Sequence, residues 1–91
     1  MKQCIESEDI TLRLKKVEGQ VRGIQKMVND DKDCEDILIQ IGAAKAALHR
    51  IGQIILEGHM HHCVADAIAN GQGDEAVDHL ISALNKFSKT L

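Results

Sequence analysis

Apolar residues recur near the start of the chain at Ile10, Leu14, Val17, Val21, Ile24 and Val28, in a 4-3-4-3-4 rhythm with polar side chains between them. That spacing lines one helix face from end to end and predicts a helix that packs lengthwise on another. Ser7 is the expected start, with Glu8 and Asp9 in the first turn, where negative charge suits the helix dipole. The run ends in the polar turn Asn29-Asp30-Asp31. Asp33 is the expected N-cap of a second helix, which repeats the rhythm at Ile37, Ile41, Ala44, Leu48, Ile51 and Ile55 and runs on past Ile68. Gly42, Gly52 and Gly58 each weaken that helix by about 1 kcal/mol relative to Ala; lying beside the stripe, they predict close helix approach. Asn70-Gly71-Gln72-Gly73 is the clearest break. A third, shorter helix follows Asp74, with Val77, Leu80, Ile81, Leu84 and Phe87 on its inner face. The expected helices are thus about 7–29, 33–70 and 74–88, in a single domain spanning 1–91 with no strand signal and no internal repeat.

Two long stripes and one short one cannot all be buried within 91 residues. Pairing of two chains would join the first and second helices into an antiparallel four-helix bundle, with the third helices outside. Such dimers often pair again. The expected fold is therefore all-α, three helices per chain, assembled as a homodimer and then as a dimer-of-dimers homotetramer. Composition agrees: without Pro, Trp or Tyr, and with Phe87 as the one aromatic, aliphatic residues build the core and nothing forces a helix to stop. Charged residues make up 27% of the chain, and no apolar run nears the roughly 18 residues of a membrane span. The opening MKQCIESEDI lacks the layout of a signal peptide. The chain is read as cytoplasmic, with no membrane partner.

Three cysteines in that setting argue for metal or thiol chemistry over a disulfide framework. His59 and Cys63 are four residues apart and so share a helix face. Cys34 lies 25 residues before His59, which along an unbroken helix is roughly 37 Å, beyond the reach of any one ion. A second chain running antiparallel would bring its Cys34 beside His59 and Cys63 of the first. The spacing therefore predicts a dimer with two identical sites, each shared between subunits. Two thiolates and an imidazole are soft donors that select Cu(I) or Zn(II) over Mg(II) or Ca(II). Cu(I) accepts three ligands, whereas structural Zn(II) takes four; His61 or His62 could supply a fourth, although they project from other faces. The blander reading is that the cysteines are small buried hydrophobes and the histidine a solvated one. Cys4 is read as an incidental terminal thiol and His49 as a surface residue; His79 either approaches the site from the third helix or faces water. With no pocket-forming loop and no nucleophile–base pair beyond this donor set, neither an enzyme nor a small-molecule substrate is expected.

Net charge is −3, so the chain as a whole does not read as a nucleic-acid binder. The distribution is uneven, though: between Thr11 and Lys26, five cations stand against Glu18 alone. Arg13, Lys15, Lys16 and Arg22 on the first helix, with Lys45 and Arg50 on the second, form the candidate surface for DNA. The alternative is an ordinary solvated helix face. Nothing in the sequence spells a helix-turn-helix or a zinc finger.

The segments RLKKVEGQVRGI, ILIQIGAAKAALHRI (after Cys34) and LEGHMHHCV resemble the copper-sensing repressor family, CsoR with its nickel, formaldehyde and persulfide relatives, through nearly the whole chain. Cys34, His59 and Cys63 occupy the family's copper-type ligand pattern. The resemblance implies a dimer-of-dimers repressor that binds operator DNA when metal-free. It also implies release when Cu(I), one per subunit, binds at the dimer interface, derepressing copper-efflux genes. The positions matching Arg13 and Arg50 contribute to DNA binding in the family. Copper sensors carry a Tyr before the first ligand Cys and a Glu in the third helix as partners of the site; here Asp33 and His79 take those positions. An Asp before the Cys is closer to the persulfide-sensing branch, which lacks a His at the position of His59. Nickel and cobalt relatives use an extra His near the N-terminus, where this chain has Lys2 and Gln3. Three alternatives follow: a persulfide sensor using Cys34 and Cys63, a nickel- or zinc-responsive relative, and a copper buffer that never touches DNA.

Overall fold

The computed structural model describes residues 7–89. Among them every regular element is helical: α1 (Ser7–Asn29), α2 (Cys34–Gly58), a π-helical segment (His59–Val64), α3 (Ala65–Ala69) and α4 (Gly73–Lys89). The single second helix expected over 33–70 is thus interrupted: its α-helical ladder stops at Gly58 and gives way to i→i+5 bonding over His59–Val64. Gly58, the poorest helix former short of proline, stands at the junction. The chain divides into two compact units, Glu6–Gln53 and a second beginning at Ile54.

In the first unit α1 and most of α2 form a helical hairpin. Its turn is a Schellman motif: the Lys32 N–H donates to the Met27 carbonyl at 3.0 Å and the Asp31 N–H to the Val28 carbonyl at 3.3 Å. The motif needs a left-handed residue, and Asp31 supplies it at φ 54°. Asp is one of the few L residues that tolerates this region, though Gly does so at lower cost. The Asp33 carbonyl accepts the Ile37 N–H at 3.1 Å, the backbone bond of an N-cap, and so fixes where α2 begins.

Burial divides each apolar stripe lengthwise. Ile10 and Val17 on α1 and Ala44 and Ile51 on α2 are buried, and Ile24 and Ile37 are half-buried. The interleaved positions Leu14, Val21 and Val28, and Ile41, Leu48 and Ile55, are all exposed. Each set repeats every seven residues, the repeat of a helical seam. One half of the seam is covered within the chain and the other half faces out. A Cβ added at Gly42 would meet nothing within 4 Å, so the close approach expected there is not made within one chain.

In the second unit α4 folds back on α3 and on the π segment. The reversal is another Schellman motif, with the Gln72 N–H on the Ala67 carbonyl at 2.7 Å and the Gly71 N–H on the Ile68 carbonyl at 3.2 Å. Gly71 takes the left-handed position at φ 79°. Gly73 must also be small: a Cβ there would lie 3.0 Å from Ile68 Cγ1. The Gln72 carbonyl then accepts the Ala76 N–H and starts α4, slightly ahead of the expected Asp74. Val64 is buried in this unit, and Leu80, Leu84 and Phe87 are half-buried. Val77 and Ile81, expected on the inner face of α4, are exposed instead, because the covered face runs along Ala76, Leu80, Leu84 and Phe87 at 4-4-3 spacing.

Candidate metal and nucleic-acid sites

His59 and Cys63 fall on the π segment, not on the α-helix that their four-residue spacing suggested. They still share a face. Both half-exposed side chains line one open groove of about 330 Å³, with Ala67 of α3, Gln72 of the turn, and Glu75, Ala76 and His79 of α4. In an α-helix, residues four apart drift about 40° around the axis; the wider π turn winds less per residue and offsets that drift. π-helical distortions gather at functional sites for this reason, since they re-aim side chains without breaking the helix.

Of the two residues expected beside the ligands, His79 shares the groove with His59 and Cys63. Asp33 is exposed and has its structural role at the start of α2. Glu75 and Gln72 were not anticipated. The available signal was the four-residue step from Glu75 to His79, which puts both on one face of α4. His61 and His62 are exposed and do not line the groove. His49, expected at the surface, is half-buried with its Nδ1 shielded from solvent. Cys4, like Lys2 and Gln3, lies outside the described residues.

Cys34 is a free, exposed thiol in the first turn of α2. Cys63 is disulfide-bonded, and its sulfur is a metal donor only after reduction. Among the described residues no three His, Cys, Asp or Glu side chains converge as a metal site within the chain.

The candidate DNA-binding cations all lie in the first unit. Lys15, Lys16, Arg22, Lys45 and Arg50 are exposed and Arg13 is half-exposed. Two of them have carboxylate partners, Glu18 inside the basic stretch and Asp9 outside it. Arg13 Nε donates to Asp9 Oδ2 at 3.3 Å, and Arg22 Nη1 lies 3.8 Å from Glu18 Oε1. Asp9 sits one turn before the basic stretch and was read only as a helix-dipole residue.

The family model for metal-sensitive transcriptional repressors matches residues 6–86. The chain belongs to this family. As a metal-sensitive transcriptional repressor it is a DNA-directed regulator and not an enzyme. It is 51% identical over 89 residues to the copper-sensing transcriptional repressor CsoR of Bacillus subtilis, covering 98% of this chain and 88% of that protein. The copper-sensing repressor RicR of Mycobacterium tuberculosis is 44% identical over 66 residues, covering 72% of this chain and 69% of that one. Among solved structures, CsoR with Cu(I) from Geobacillus thermodenitrificans superposes with a TM-score of 0.86 at 49% identity, over 89% of this chain and 84% of that one. The nickel-responsive regulator InrS superposes at 0.83 with 33% identity, over 96% and 97% of the two chains. Among the described residues no helix of this repressor is long and apolar enough to cross a membrane.

Proposed function

We propose that this repressor senses Cu(I): it holds operator DNA in the metal-free state and lets go when Cu(I) is bound by Cys34 of one subunit with His59 and Cys63 of another, derepressing copper-efflux genes. One observation carries the reading. His59 and Cys63 open on a common groove, Cys34 is an exposed thiol, and no three donors converge as a metal site among the described residues. The second thiolate of a soft set with His59 and Cys63 is then Cys34 of a second chain.

The donors fit the ion. Two reduced thiols and an imidazole form a soft set of three, which suits Cu(I) better than the four-coordinate preference of structural zinc. The 51% identity to a copper sensor, against 33% to the nickel regulator, favours the same ion. When bound, the ion supplies a cross-link between subunits; everything else is done by the chain. The exposed half of the seam, Leu14, Val21, Ile41 and Leu48 among others, offers the surface on which a second copy packs as a four-helix bundle. The resulting homodimer pairs again as a homotetramer, so that Arg13, Lys15, Lys16, Arg22, Lys45 and Arg50 recur on one assembly and multiply phosphate contacts, making affinity fall steeply with salt. His59 can use its second ring nitrogen to hold a hydrogen bond to a neighbouring acceptor, such as a group on α4, and so tie the site to that helix. Regulation needs only that the DNA-incompetent arrangement bind Cu(I) more tightly than the competent one.

A second reading keeps the two thiols and drops the imidazole: Cys34 and the reduced Cys63 respond to sulfane sulfur, with His59 a bystander. Fluorescence anisotropy of the reduced protein on its own promoter DNA, titrated anaerobically, separates the two. Release by stoichiometric Cu(I) and not by a persulfide donor is the expected result. Release by the persulfide donor alone would replace the copper reading with the thiol one.

A further inference from the structure

Five of the six candidate DNA-binding cations, Arg50 apart, fall into two classes that the sequence does not separate. Arg13 is hydrogen-bonded to, and Arg22 lies near, a carboxylate one turn earlier on the same helix, in the acid-before-base order that favours such pairs. Lys15, Lys16 and Lys45 have no ion pair among the described residues. The Arg13 pair is the better formed: Nε donates to Asp9 Oδ2 at 3.3 Å, with the two side chains about half exposed at 42% and 51%. The Arg22 pair is longer, at 3.8 Å, and more exposed.

We infer that Asp9, and more weakly Glu18, compete with DNA phosphate for the arginines of the basic face and thereby set its resting affinity. The inference rests on the proposed DNA-binding role of α1. A phosphate approaching Arg13 meets a guanidinium whose Nε already donates to a carboxylate. It must either displace that carboxylate or sit beside it as a like charge. The lysines carry no such restraint and supply the unspecific, salt-dependent attraction. Arginines are the residues suited to bidentate phosphate contacts, and Arg13 keeps its Nη groups for one, so Asp9 opposes the incoming phosphate chiefly as a like charge beside it.

The sign of the effect separates this role from a structural one. Asp9 lies in the first turn of α1, where its charge favours the helix dipole, so neutralising it slightly destabilises the helix. A structural role therefore predicts weaker DNA binding for Asp9→Asn, and a competitor role predicts tighter binding. The experiment measures anisotropy of a fluorescein-labelled duplex of the protein's own promoter with the full-length reduced wild type, Asp9→Asn, Arg13→Ala and the double variant, at low and moderate salt. Melting temperatures are recorded alongside. The expected result is a melting temperature equal to or slightly below wild type for Asp9→Asn, with affinity raised about threefold at low salt. That gain shrinks as salt rises and vanishes in the Arg13→Ala background. Unchanged or weaker binding by Asp9→Asn would overturn the inference, as would an equal gain without Arg13. If Arg13→Ala binds as wild type does, the role of Arg13 in DNA binding fails first and the competitor role falls with it.

Discussion

Between Ser7 and Gln53 the chain is regular: two α-helices, a heptad seam, a capped turn and a charged outer face. From His59 onward the backbone departs from that pattern, with π bonding, a glycine-dependent reversal and a short helix folded under α4. The basic face and the groove divide along the same line, with the candidate ligand Cys34 standing apart in the regular unit. The basic residues lie on the regular hairpin, and the groove with His59, Cys63, Glu75 and His79 lies in the irregular unit. A rigid, repetitive surface suits the recognition of a repetitive phosphate backbone. A distorted helix suits a small site, because it re-aims a few side chains while the surrounding backbone stays hydrogen-bonded.

Four substitutions break or sharpen this comparison. Leu48→Lys puts a charge on the outward half of the hairpin seam, which is 48% exposed in the single chain. It should weaken self-association by about a thousandfold or more, since the side chain would be buried between subunits. Sedimentation velocity reads the outcome, and an unchanged assembly would show that this half of the seam meets only water. Ile51→Ala, on the inward half and 5% exposed, should cost about 2–5 kcal/mol in denaturant unfolding. In the irregular unit, Gly71→Ala forces a Cβ into a left-handed position at φ 79° and should cost about 1–2 kcal/mol. Asp31→Gly is its mirror test in the hairpin: relieving the left-handed Asp at φ 54° should stabilise by about 0.5–1 kcal/mol. A loss at both turn positions would mean that the Asp31 side chain contributes more than its backbone conformation costs.

The hairpin was legible in the sequence because its physics is local. The 4-3 rhythm places the stripe, and Asn29-Asp30-Asp31 and Asp33 mark where backbone groups need caps. The all-helical fold follows from such signals; the repressor family follows from the resemblance carried by RLKKVEGQVRGI, ILIQIGAAKAALHRI and LEGHMHHCV. The split of the seam was not legible: Leu48 and Ile51 are equally apolar, and only the neighbouring helix decides which is covered. The π segment also gave no sign, since i→i+4 and i→i+5 bonding place the same residue types on nearly the same face. His59 and Cys63 could be named as candidates from their spacing. Glu75 could not, because sharing a groove with His59 depends on how α4 folds back at Gly71 and Gly73. The Asp9–Arg13 pair was missed because charges were counted from Thr11 onward, although the four-residue step was visible.

The most direct test of the shared site is subunit complementation. Cys34→Ser and Cys63→Ser proteins, each reduced and metal-free, should separately lose tight Cu(I) binding while still holding promoter DNA. Co-refolding them forms mixed dimers in which one site regains Cys34 from one chain and His59 and Cys63 from the other. The account predicts that tight Cu(I) binding, measured by competition with a colorimetric chelator, returns in the mixture. A mixture that forms mixed dimers yet binds no more Cu(I) than its parents would contradict a site built across two subunits.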